Sequence, residues 1–157
     1  MQLGQKFVDL IVLNCPHFKH FLQSLSAMVH VLVRSQRLSD ARSLILRMVR
    51  KSGVLMGESV ESLVLMCDNL QWSSLVFDLL IRTYVQARKL REGSEAFRVL
   101  RSKGFWVSIN ACNSILGGVV KVGWVDLAWD MYGKVVTSGI DLNIYTPNFM
   151  VNGLYKD

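Results

Sequence analysis

INACNSILGGVVKVGWVDLAWDMYGKVVTSGIDLN, residues Ile109–Asn143, spells two short helices and the turn that joins them. In Asn113–Lys121 the apolar residues Ile115, Leu116, Val119 and Val120 fall at i, i+1, i+4 and i+5. That spacing makes one apolar stripe on a helix of about 3.6 residues per turn. Ala128, Met131, Tyr132, Val135 and Val136 make a second stripe within Val125–Val136. Gly123, between Val122 and Trp124, marks a tight turn. Thr137-Ser138-Gly139 ends the second helix with a glycine suited to a left-handed cap. No run keeps apolar and polar residues alternating, so strands are not expected.

The same pattern recurs at a fixed step. Blocks starting at Ser74, Ile109 and Ile144 stand thirty-five residues apart. In that register Leu80, Ile115 and Met150 coincide, as do Tyr84, Val119 and Leu154. Phe97 matches Tyr132, and Gly104 matches Gly139. An earlier block starting at Leu22 places Met28, Val29 and Leu32 on the first apolar set and Ile45 and Met48 on the second, with its closing Gly53 one residue late. The expected organisation is a helical flank at 1–21, a first repeat at 22–56 carrying one inserted residue, a spacer at 57–73, repeats at 74–108 and 109–143, and a fourth repeat cut to its first helix at 144–157. Such periodicity means stacked supersecondary units instead of one globular core. Stacks of that kind expose long concave surfaces that hold extended partners. Both prolines respect helix interiors: Pro16 lies in the flank and Pro147 in the expected first turn of the last helix.

Helical hairpins of this length and pattern resemble the pentatricopeptide repeat family of plant organelles. The resemblance rests on Asn113-Ser114-Ile115-Leu116, on Lys121 and Gly123, on the turn Val125-Asp126 with Ala128, and on the Ser138-Gly139-Ile140 ending. Ser74–Ser108 is a poorer match, with Gly93 where alanine is usual, whereas Arg37-Leu38-Ser39-Asp40-Ala41 fits well. The tetratricopeptide repeat, a competitor with a period of about 34 and a Trp-x2-Leu-Gly-x2-Tyr signature, lacks that signature here. The resemblance implies an all-α, right-handed α-solenoid of thirty-five-residue hairpins. It also implies single-stranded RNA as the partner, with one base read per repeat by two or three side chains.

In the family the fifth residue of each repeat reads the base with the last as its partner. Carried over, the fifth positions are Ser26, Asp78, Asn113 and Asn148, and the closing positions are Ser108 and Asn143. Asparagine offers donors and an acceptor to a base edge. The Asn113/Asn143 pair resembles the family's pyrimidine-reading pair, cytosine favoured over uracil, while Asp78/Ser108 departs from the usual pairs. Asn110 stands where an aliphatic residue normally flanks the base. Arg34, Lys121 and Lys156 share one position near the end of the first helix, the side the family turns toward the RNA backbone, and are the candidate phosphate contacts. The same cations would also suit the negative end of a helix dipole.

Composition narrows the function classes. Eighteen Lys and Arg against twelve Asp and Glu give a formal charge of +6, the excess that phosphate contacts need. No catalytic constellation, phosphate-cradling loop or cofactor motif is visible, so an enzyme is not expected. Cys15, His17 and His20 form the one metal-like cluster, and tetrahedral zinc would need a fourth ligand, so no metal is expected. Cys15, Cys67 and Cys112 are odd in number and scattered, which suits reduced thiols. The longest stretch without charge, Gly104–Val120, falls short of the ~20 apolar residues of a membrane span. The four tryptophans read as structural. Residues 1–21 do not read as an Arg-rich, Ser-rich presequence, and the resemblance alone points to the mitochondrion, or else the chloroplast. The carboxy-terminal face of Phe149, Met150 and Leu154 lacks its second helix, which leaves two alternatives to RNA binding: a protein-interaction scaffold that self-associates or recruits a partner there, or an inactive shortened product.

Overall fold

The computed structural model describes residues 18–51, 55–67 and 73–155. These form eight helices and no strand: α1 (Phe18–Arg34), α2 (Leu38–Arg50), α3 (Met56–Leu65), α4 (Leu75–Gln86), α5 (Leu90–Ser102), α6 (Ile109–Val122), α7 (Val125–Thr137) and α8 (Tyr145–Leu154). They divide into two compact units, one up to Ser73 and one from Ser74 onward.

In the first unit α1 packs against α2 and α3, and α2 also touches α3. The apolar stripe of α1, including Leu25, Val29 and Val33, is buried together with Ala41, Ile45 and Met48 of α2 and Val60 and Leu63 of α3. The segment expected as a spacer thus carries a helix. Glu58 helps it start by accepting the Leu55 amide at 3.1 Å, and Val60 and Leu63, one turn apart, supply its apolar contacts. Gly57 lies thirty-five residues after Leu22, so α3 is in phase with α1 although, among the described residues, no second helix follows it before Ser74.

In the second unit α4 and α5 form one hairpin and α6 and α7 the next, with α8 stacked beyond. Helix α6 is the centre, packing on α4, α5, α7 and α8, and its Ile115, Leu116 and Val119 are fully enclosed. The first helices α4, α6 and α8 form the tight row, while a cleft of about 720 Å³ opens between α5 and α7, lined by Arg91, Glu95, Trp124, Asp126, Asp130 and Lys134 among others. Arg101 spans the hairpin ends there, donating to the Phe105 carbonyl at 3.1 Å and the Ser138 carbonyl at 2.7 Å.

Every hairpin turn repeats one backbone device. Gln36, Arg88 and Gly123, equivalent in register, have φ of 59°, 59° and 83°. After each, an amide reaches back to close the helix: Arg37 to Leu32 and Lys89 to Tyr84 at 2.9 Å, Trp124 to Val119 at 3.2 Å. Only Gly123 adopts the left-handed region at no steric cost. Close approach explains two further glycines. A Cβ on Gly118 would meet a Leu90 methyl at 2.9 Å, and one on Gly93 an Ile115 methyl at 2.7 Å and the Tyr84 Cβ at 3.0 Å, so those side chains would have to shift to admit alanine. Two of the tryptophans are less enclosed than their structural reading implies: Trp106 and Trp129 are about half exposed, at 48% and 46%, while Trp72 lies outside the described residues. Trp106 lies under Arg101 and Trp129 meets Tyr132 edge-on.

Candidate nucleic-acid interface

The start of α6 sets the site. Ser108 is its N-cap, with extended backbone and a hydroxyl that accepts the Ala111 amide at 3.2 Å. Its own amide donates to Asp78 Oδ1 of α4 at 2.8 Å. One repeat later the same two positions meet again: Asn113 Nδ2 donates to Asn143 Oδ1 at 2.8 Å. In both cases the partners lie thirty residues apart, because a hairpin brings the chain back to the first turn of its own first helix. The fold therefore sets fifth and closing residues side by side in both complete repeats of this unit.

The second pair is embedded in a wider network. Thr146 of α8 donates its hydroxyl to Asn113 Oδ1 at 2.8 Å and lies 3.4 Å from Asn143 Oδ1. The Tyr145 amide also donates to Asn143 Oδ1, at 3.2 Å. Asn113 is buried, at 8% exposure, and Thr146 is fully enclosed, whereas Asn143 is half-buried. The Asn143 Nδ2 group has no partner among the described residues, so the accessible part of the pair is a pair of N–H donors. Cys112, next to Asn113, is no nucleophile. Burial first, and then the charge of Asp78, pushes its thiol up to about 12, so it stays protonated at neutral pH.

The other expected positions are not gathered in this way. Ser26 is fully buried, and its hydroxyl has no partner among the described residues, so a base has no path to it. Asn148 is exposed on α8, and Asn110 is exposed in the first turn of α6. Arg34 and Lys121 are exposed in the last turns of α1 and α6; Lys156 lies outside the described residues, as do Cys15, His17 and the side chain of His20. Thr146 was not legible as part of the site. Its signal is positional, thirty-three residues after Asn113, the same offset at which His30 of α1 meets the Leu63 carbonyl of α3 at 3.0 Å. Among the described residues no helix is long and apolar enough to cross a membrane, and no cluster of three metal-ligating side chains occurs.

The family model described as PPR repeat matches residues 24–52, 76–105 and 111–140. The chain belongs to the pentatricopeptide repeat family. The three matched segments begin two residues inside Leu22, Ser74 and Ile109, in the same register as the hairpins. One pentatricopeptide repeat-containing protein of Arabidopsis thaliana is 58% identical over 140 residues, covering 89% of this chain. Another from the same plant, named mitochondrial, is 31% identical over 145 residues and covers 90% of this chain. A third, also named mitochondrial, is 36% identical over 91 residues and covers 57%. The chain spans 19%, 26% and 14% of the lengths of these three relatives. Pentatricopeptide repeat proteins are in general RNA-binding proteins of organellar RNA processing, built of non-enzymatic repeats.

Proposed function

We propose that this pentatricopeptide repeat segment binds single-stranded RNA with a bias toward pyrimidines, cytosine above uracil, as part of organellar RNA processing, stability or translation. The observation that carries the reading is that the same two positions meet at consecutive repeats, the Ser108 amide with the Asp78 carboxylate and the Asn113 side chain with that of Asn143. Cytosine offers two adjacent acceptors, its ring N3 and O2, to the Asn143 donors, whereas uracil places an N–H between its two carbonyls. Reading unstacked bases on that edge is how RNA-binding repeats select sequence. The compartment we assign is the mitochondrion, with the chloroplast as the alternative, on the names of relatives such as the two above.

Affinity is expected to be weak. Base contacts of the stacking kind contribute about 1–3 kcal/mol each, and association costs about 4–15 kcal/mol, so two or three contacts leave little surplus. The test is fluorescence anisotropy against poly(C), poly(U), poly(A) and poly(G) at low salt, with circular dichroism to establish folding. Wild type should favour poly(C), and Asn113→Ala should weaken poly(C) binding about tenfold, the loss of one well-made polar contact of about 1.4 kcal/mol, while leaving poly(A) little changed. A helical protein that binds none of the four, yet associates as its concentration rises, would replace this reading with a protein-contact role for the exposed Tyr145 and Val151 of α8 and Tyr155 just after it.

A further inference from the structure

We infer that Thr146 is a positioning residue for base selection: its hydroxyl anchors the Asn113 amide in the orientation that the Tyr145 amide imposes through Asn143, so that donors and not an acceptor face the RNA. The inference rests on the RNA-binding reading above. An asparagine amide can turn over, exchanging its oxygen and nitrogen, and only its neighbours decide which way it stands. Here one chain of donors and acceptors decides. A backbone N–H can only donate, so the Tyr145 amide 3.2 Å away requires an oxygen on the near side of Asn143. That oxygen, 2.8 Å from Asn113, requires the Asn113 nitrogen to face it. The Asn113 oxygen is then left on the far side, 2.8 Å from the Thr146 hydroxyl, which must donate. Thr146 is completely buried and its bond to the Asn113 oxygen is buried with it, so no water competes for it.

Removing the hydroxyl would leave the Asn113 oxygen enclosed without a donor, a costly state. Turning both amides over brings no relief, since it encloses the Asn113 nitrogen without an acceptor and gives up the bond from Tyr145 as well. The Asn113 side chain therefore loses its anchor and with it the hold on Asn143. Released from that hold, Asn143 samples both orientations, one of which presents its carbonyl outward. An acceptor there suits the N3–H of uracil and opposes the N3 of cytosine. Thr146 belongs to the following repeat, so base choice at one repeat depends on a side chain of the next. The preceding pair has no such device, because the residue thirty-three positions after Asp78 is Ala111.

The experiment compares wild type, Thr146→Val, which keeps the shape and removes the hydroxyl, and Thr146→Ser, which keeps the hydroxyl. Two readouts are taken: affinity for oligo(C) and oligo(U) by anisotropy, and hydrogen exchange of the Asn113 side-chain amide by NMR in the free protein. We expect Thr146→Val to lower the cytosine-to-uracil affinity ratio about three- to tenfold, the worth of one hydrogen bond, and to speed Asn113 amide exchange, with Thr146→Ser close to wild type in both. A purely structural role would lower the melting temperature and weaken both oligomers equally at an unchanged ratio, which overturns the inference. Wild type that binds neither oligomer would sink the RNA-binding reading and, with it, any role in base choice. The exchange measurement would then still decide whether Thr146 orients Asn113, and unchanged exchange in Thr146→Val overturns that too.

Discussion

Single residues carry most of the chemistry, and they divide by how much the sequence alone could say of them. The Asn113/Asn143 and Asp78/Ser108 pairs were legible because a fixed repeat register names equivalent positions, and the hairpin brings each pair within hydrogen-bond reach. Ser26 shares the register but not the environment, since its side chain is fully buried; a register cannot convey burial. His30, one turn along α1 from Ser26, has a testable consequence. Its Nε2 meets the Leu63 carbonyl, so the ring is the neutral tautomer with Nε2–H donating, and Nδ1 has no partner among the described residues. Burial outweighs that carbonyl and holds its pKa below the ordinary 6.5. The unfolded chain therefore binds a proton that the folded chain resists. Stability is full above about pH 6.5 and is lost as pH falls from there toward the lower folded pKa. Thermal melts at pH 7.5 and 5.5 should show a drop at the acid end, and His30→Gln, which does not titrate, should shrink that drop. An equal drop in both proteins would remove His30 as its source.

At the level of elements, helix type and most boundaries followed from the period and from the glycines that end each hairpin. The exception is α3. Its segment is too short to repeat a whole unit, so the thirty-five-residue echo breaks within 57–73 and resumes only at Ser74, and the helix leaves no second stripe to confirm it. Its phase with Leu22 and the buried Val60 and Leu63 are what remain of the pattern. The hairpin turns show a different limit. Gly123 announces a turn, but Gln36 and Arg88 adopt the same left-handed backbone without any sequence signal, at φ of 59° each. A left-handed conformation costs a residue with a Cβ about 1–2 kcal/mol, while glycine costs about 0.5–1 kcal/mol in unfolded-chain entropy. Arg88 is exposed, and replacing it gives up little packing. Arg88→Gly should therefore stabilise the second unit by about 0.5–1 kcal/mol, read as a rise of a few degrees in melting temperature. Arg88→Ala keeps the strain and should not; a gain as large from alanine would mean that the arginine itself, not its backbone, is the burden.

Across the whole molecule, the charge excess of +6 raises a question that neither register nor packing answers: whether the exposed cations at helix ends meet phosphates or only suit the helix dipole. The two roles differ in what salt does. Each phosphate neutralised on a single strand contributes about −0.7 to the slope of log affinity against log salt. If Lys121 meets a phosphate, Lys121→Ala should make the slope shallower by about 0.7 and weaken every homopolymer alike, since a phosphate contact carries no sequence information. Asn113→Ala should do the reverse, changing the ranking of homopolymers while leaving the slope as it was. If Lys121 serves the dipole alone, its removal should instead cost α6 about 0.3–1 kcal/mol of stability at an unchanged slope. Lys121 is the apt position for the comparison, because it is exposed in the last turn of the helix whose first turn holds Asn113. On the proposed reading, one helix holds part of the base-reading pair at one end and a candidate backbone contact at the other, and the two variants separate them in a single titration series, selectivity tested at one end and salt dependence at the other.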